Sequence, residues 1–254
     1  MNQGIYSSAA GGFLQQMRMD VLANNLANVD TPGYKPDVFM ARLREAEAVE
    51  DGPRTWSNSL LDRMGGGVFA HKTTTDFRPG PIELTGNPLH MAIHGKGFFT
   101  VRGSDGQTFL TRAGDFARAA DGRLVTADGQ HEVLNDGGSP IVIEGSTANL
   151  RVLPDGTIVR GNVPVDRVGL RDVPENARGQ LRKAGENLYR FFGQDQLTPA
   201  EGSVESGAVE GAAVNPATEM VSMIEASRRF EFNMRLLQFH DQMMESYVQV
   251  GRPA

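Results

Sequence analysis

Apolar positions repeat with two different periods along this chain, and the change of period divides it. Near the N-terminus, Ala10, Leu14, Met17 and Val21 follow i, i+4, i+7 and i+11, one face of a helix. Ile5, Ala9, Phe13, Leu22 and Leu26 form a second stripe beside it. The spacing predicts a helix over about residues 3–28. Asp30-Thr31-Pro32-Gly33 stops it, since proline disfavours helix for its predecessor and glycine allows a tight turn. A second helix is predicted from Asn215-Pro216, a capping residue followed by proline at the first helical position, with Glu219 adding an early negative charge. Within it Met223, Phe230, Leu237 and Met244 recur every seven residues, with Met220, Ser227, Met234, Asp241 and Val248 as partner positions. That is a heptad seam, and its expected facing partners are Ala10, Leu14, Met17 and Val21. Val221, Ile224, Phe232, Leu236, Phe239, Met243 and Tyr247 fall off the seam. A helix apolar on several sides needs several neighbours. The chain offers one other long helix, so the surplus surface is expected to meet other subunits or the β region.

Between the helices the period shortens to that of strands. Segments 89–94, 97–102, 108–112, 123–126, 131–134, 141–144, 149–153, 157–160, 163–171 and 187–192 read as short strands. Asp-Gly pairs recur between them at Asp105, Asp121, Asp128, Asp136 and Asp155, and suit the positive-φ positions of tight turns. No βαβ alternation occurs, which argues against a dinucleotide fold. The expected fold is mainly β with paired terminal α-helices: an α-helical stalk carrying an inserted antiparallel β domain. The expected divisions are an N-terminal stalk helix at 1–35, an extended connector at 36–84, the β domain at 85–192, a linker at 193–214 and the C-terminal heptad helix at 215–254. The connector holds Gly65-Gly66-Gly67 and Trp56, the single tryptophan.

Composition narrows the chemistry. Of 254 residues, 30 are Gly, and they gather in the middle rather than in the two helical segments. There is no Cys, which removes disulfides, thiolate metal sites and a cysteine nucleophile. A net charge of −6 argues against a nucleic-acid footprint. No apolar run is long enough to span a membrane, and no cleavable signal is expected at the N-terminus. His90 and His94 stand four apart, but in a predicted strand with no glutamate between them, and the remaining histidines lack ligand spacing. No Gly-x-Ser-x-Gly elbow or P-loop is present. No catalytic residue, metal or cofactor is expected, and the chain does not read as an enzyme. A secreted β-rich glycan-binding or hydrolytic protein would want an aromatic platform or a close carboxylate pair, and aromatic residues make up only 7%.

The segment Ala23-Asn24-Asn25-Leu26-Ala27-Asn28-Val29-Asp30-Thr31-Pro32-Gly33-Tyr34-Lys35 resembles the N-terminal signature of bacterial flagellar rod and hook proteins. Its motif positions are Asn24, Asn25, Leu26, Asn28, Thr31, Pro32, Gly33 and Tyr34. Gly86-Asn87-Pro88-Leu89, Gly95-Lys96-Gly97-Phe98-Phe99, Thr111-Arg112-Ala113-Gly114 and Asp121-Gly122-Arg123-Leu124-Val125 resemble the β domain of that family, and Gly185-Glu186-Asn187-Leu188-Tyr189 its close. Met223-Ile224-Glu225-Ala226 and Arg228-Arg229-Phe230-Glu231 resemble its C-terminal helix. The resemblance implies a structural axial subunit of the proximal or distal rod type, with a hook or other axial subunit as the alternative. It implies export through the flagellar apparatus without a cleaved signal, and helical stacking into the periplasm-crossing rod. The implied partners are further copies, neighbouring rod subunits and the export apparatus, with no nucleic acid and no membrane insertion. Residues 3–30 and 216–250 are expected to order as they dock.

Overall fold

The computed structural model describes residues 2–43, 68–70, 73–145, 150–193 and 197–250. Trp56, Gly65-Gly66-Gly67 and His71 lie outside them. The protein is mainly β, with a helix at each end: α1 spans Asn2–Ala27 and α2 spans Pro216–Val250. It divides into a helical unit (1–27, 37–76 and 215–254) and a β unit (28–36 and 77–214).

In the helical unit, α2 begins as its sequence directs. The Asn215 side-chain oxygen accepts from the amides of Ala217 (3.1 Å) and Thr218 (3.3 Å), satisfying donors that have no partner inside the helix. Pro216 occupies the first helical position, where its missing N–H costs nothing. Two small antiparallel ladders complete this unit: Asp37–Val38 with Thr74–Thr75, and Ala41–Leu43 with Val68–Ala70. Part of the segment expected as an extended connector is thus paired.

The β unit is antiparallel throughout its described ladders. Its largest sheet has nine strands and centres on Phe98–Arg102. That strand pairs with Thr108–Thr111 along one edge, and with Glu132–Val133 and Leu170–Asp172 in succession along the other. The strand Leu188–Phe191 joins Thr108–Thr111, and Leu181–Gly185 lies beyond it. A separate three-stranded sheet comprises Leu150–Val152, Thr157–Arg160 and Val163–Arg167. The core gathers Met91, Ile93, Phe99, Val101, Phe116 and Leu124 with Ile141, Ile143 and Ile158. Phe99 and Phe116 meet edge-on at 5.1 Å, the arrangement the ring quadrupoles favour.

The Asp-Gly turns share one device. Gly106, Gly122, Gly129 and Gly156 adopt φ between 74° and 88°, and each donates its amide to the carbonyl three residues earlier. The preceding Asp accepts from the amide two residues further on, at 3.0–3.1 Å. At Asp136-Gly137-Gly138 it is Gly138 that takes positive φ. The predicted strand at 141–144 is reduced to an isolated bridge between Val142 and Arg123, although Ile141 and Ile143 are fully buried.

Residues 193–214 differ most from expectation. In place of a linker they carry Thr198–Pro199, Ser203–Ser206 and Ala208–Glu210, which pair with Leu170–Asp172, Met91–His94 and Ile82–Leu84. Val204, Ala208, Val209 and Ala212 are buried. Each run is only two to four residues long, too short for a periodicity to mark it. Its partners, distant in sequence, make it strand.

Candidate functional site

The Asn24–Tyr34 signature is split between the two units, and most of it is buried structure. In the helical unit the Asn25 side chain behaves as a strand partner. Its amide donates to the Asp37 carbonyl and its oxygen accepts from the Asp37 amide, both at 3.0 Å. Only a carboxamide offers donor and acceptor together at this reach. The pairing fixes Asp37, whose carboxylate accepts from the Thr75 hydroxyl at 2.7 Å. Asn24 is exposed and Leu26 half-buried.

The second half of the signature anchors the β unit. Thr31 and Asn28 close a turn, with the Thr31 amide donating to the Asn28 carbonyl at 3.1 Å and the Thr31 hydroxyl to the Asn28 side-chain oxygen at 3.4 Å. The Pro32 carbonyl accepts from the Asn187 side chain at 3.0 Å. Gly33, at φ 68°, donates to the Glu210 carbonyl at 2.6 Å. A Cβ there would lie 2.3 Å from the Ala113 amide nitrogen, so glycine is required on both counts. Tyr34 is buried beneath the Lys183 ammonium, 4.4 Å from its ring centre.

Next to it is a buried ionic cluster. Lys35 Nζ donates to Glu210 Oε1 at 2.5 Å and to the Arg78 carbonyl at 2.7 Å. Glu210 Oε1 also accepts from the Gly80 amide at 2.8 Å, and Oε2 from Arg112 at 3.2 Å. Arg112 donates in addition to the Gly95 carbonyl at 2.7 Å. Such charges persist in an apolar interior only when paired and hydrogen-bonded together. Glu210 was not singled out in the sequence, since one carboxylate among 31 acidic residues carries no local signal.

The helical unit presents the other candidate surface. Ala226 is fully buried on α2, and Met223, Phe230, Asn233, Leu237 and His240 are half-buried around it. The facing contact on α1 is Gly11-Gly12. A Cβ on Gly11 would lie 3.0 Å from the Asn233 side-chain oxygen, and one on Gly12 would touch Asn233, Phe230 and Met234 at 3.8–4.0 Å. Two glycines therefore let the helices approach closely. Of the expected seam, Met223, Phe230 and Leu237 face inward, whereas Met220, Met234 and Met244 are exposed. Ala226, Asn233 and His240 lie on the inward face in their place, and Asn233 sits directly against Gly11 and Gly12. Ala10, Leu14, Met17 and Val21 are half-buried and flank Ser8, Gly12 and Asn25, the α1 residues that are fully buried.

Apolar side chains remain uncovered around this pair. Tyr6 is 74% and Phe13 63% exposed on α1, seven residues apart. On α2, Phe232 is 62% and Phe239 57% exposed, and Val221 lies on the same side. Met220 and Ile224 are exposed on the opposite flank. No described helix is long and apolar enough to cross a membrane.

The histidine pair does not form one donor set. His90 Nδ1 lies 2.9 Å from the Thr85 hydroxyl, and His94 Nε2 lies 2.5 Å from Glu205. Asp155 is held below the ordinary carboxylate range by the Thr157 amide and hydroxyl, and Asp121 by the Arg123 amide and guanidinium. Glu175 is lowered by Lys96. These are turn and surface carboxylates in ionised form.

Three sequence profiles match the chain. "Flagella basal body rod protein" covers residues 5–35, "Flagellar hook protein FlgE/F/G D1 domain" covers 92–160, and "Flagellar basal body rod FlgEFG protein C-terminal" covers 205–250. Among curated relatives, the flagellar basal-body rod protein FlgF of Caulobacter vibrioides is 30% identical over 252 residues, 98% of each chain. FlgG of Buchnera aphidicola subsp. Acyrthosiphon pisum is 31% identical over 98% of this chain and all of its own. FlgF of Salmonella typhimurium is 29% identical over 93% of each.

Proposed function

The chain belongs to the flagellar basal-body rod protein family and is a structural subunit of the rod; on that premise we propose that it polymerises helically through α1 and α2. The observation that carries this is the uncovered apolar surface on more than one side of a helix pair that already has an internal seam. Met220 and Ile224 on one flank of α2, and Val221, Phe232 and Phe239 on the other, suit contacts with different neighbours. A contact joining two unlike surfaces repeats without closing and yields a helical array. Burying the exposed part of each such side chain removes apolar area from water at about 25 cal/mol per Å², which favours association.

The partners are further copies of this chain and neighbouring rod subunits. The location is the basal body where the rod crosses the periplasm, reached through the flagellar export apparatus. The role is mechanical, and no catalytic activity belongs to it. The terminal helices gain their full order on docking, since an exposed apolar helix pair lacks the neighbours that offset its ordering entropy. The test is to locate the labelled protein in isolated basal bodies and to repeat the experiment with residues 216–254 removed. Label in the rod, lost on truncation, is the expected result. A truncated chain that still enters the rod would overturn the proposal.

A further inference from the structure

Among the described residues, the strongest constellation of donor atoms outside the anchoring cluster joins two turns of the β unit. Asp128 and His131 lie in the turn leading into the strand Glu132–Val133, and Glu186 in the turn between Leu181–Gly185 and Leu188–Phe191. His131 Nδ1 stands 3.6 Å from Asp128 Oδ2 and 4.0 Å from Glu186 Oε2, and the three donor groups all fall within 4.8 Å of one another. The His131 side chain is only 13% exposed. Its Nδ1 is wholly enclosed and has no hydrogen-bond partner. Phe109 packs edge-on against the ring at 5.8 Å and fixes its orientation. The other Asp128 oxygen is occupied, accepting from the Thr126 hydroxyl and from the Gln130 amide. Oδ2 is thereby turned towards the imidazole.

A shielded imidazole nitrogen facing two carboxylates is a mixed nitrogen and oxygen donor set for a cation. We propose that Asp128, His131 and Glu186 form a binding site for a single divalent transition-metal cation, Zn²⁺ foremost, which staples the two turns together. One nitrogen and two carboxylate oxygens suit Zn²⁺ or Mn²⁺, whereas Mg²⁺ and Ca²⁺ prefer oxygen alone. Bonds of about 2.0–2.2 Å in tetrahedral geometry place donors about 3.4 Å apart, so separations of 3.6 Å, 4.0 Å and at most 4.8 Å close by movements of the two exposed carboxylate side chains. Asp128 and Glu186 are solvent-exposed, which gives the cation an entry path and leaves further positions for water.

The site is independent of assembly and is tested on the full chain in solution. Chelator-treated protein is titrated with Zn²⁺ by calorimetry and with Co²⁺ by visible absorption, and its melting temperature is followed with and without Zn²⁺. One equivalent per chain, a tetrahedral Co²⁺ spectrum and a raised melting temperature are expected. His131→Ala should abolish uptake, and Glu186→Gln, in an exposed turn, should weaken it by at least about tenfold. His94→Ala should leave it unchanged. Should His131→Ala fail to fold, Glu186→Gln decides. Absence of stoichiometric uptake, uptake equal in Glu186→Gln and the unaltered chain, or a His131 that only shares a proton with the two acids would each overturn the proposal.

Discussion

In the β unit, Phe98, Phe99, Phe116 and Tyr189 are buried, and even its charged Lys35, Arg112 and Glu210 have partners inside. In the helical unit, Tyr6, Phe13, Phe232 and Phe239 face outward around a seam lined by Gly11, Gly12 and Ala226. The first region has finished its folding within one chain. The second uses small residues to join two helices tightly and leaves its large apolar ones for something else. The difference teaches that exposed aromatic and aliphatic side chains gather on the two helices, while in the β unit they are scattered at Leu84, Val163 and Phe192 around a filled core.

Breaking the closed region should have the largest effect. Glu210→Ala strands Lys35 and Arg112 in the interior, and removing one member of a buried ionic cluster costs about 3–5 kcal/mol. Urea unfolding followed by near-ultraviolet circular dichroism should show that loss; an unchanged midpoint would mean that the cluster contributes nothing. Asn25→Ala removes both hydrogen bonds between its side chain and the Asp37 backbone, at a cost of about 1–3 kcal/mol. Hydrogen exchange at Asp37 is the readout, and protection should fall.

Phe232→Asp paired with Phe239→Asp sharpens the comparison from the other side. Both residues are exposed, so stability should move by no more than about 0.5 kcal/mol while incorporation into the rod is lost. Stability and assembly falling together would erase the distinction between the regions. The smallest effect is that of pH. Asp121 and Asp155 are held below the ordinary carboxylate range in the folded state. Their stabilisation is therefore present above about pH 4, near the unfolded value, and is lost as pH falls through the lower folded one. Asp155→Asn should lower the melting temperature slightly at pH 7 and flatten its fall with acidification below about pH 4.

The heptad Met223, Phe230, Leu237 was legible because a helix face repeats whatever it meets, and Asn215-Pro216 was legible because caps are local. The partner row was not. Met220 looks as suitable as Ala226 or Asn233, yet it is exposed, while Asn233 packs against Gly11 and Gly12. The strands within 198–210 were hidden for a related reason, since their partners lie up to a hundred residues or more earlier. The signature Asn24–Tyr34 stood out in the sequence, but nothing in it said that Asn25 grips Asp37 or that Gly33 lies against Ala113.

By itself, then, the sequence determined the element types, the helix boundaries, the Asp-Gly turns and the apolar excess on α2, all consequences of interactions within a few residues. The tertiary structure decided which helix faces meet, that residues 193–214 are sheet, that Lys35, Arg112 and Glu210 share one buried cluster, and that Asp128, His131 and Glu186 converge. Those outcomes depend on packing and hydrogen bonding between segments far apart in the chain, where spacing carries no information.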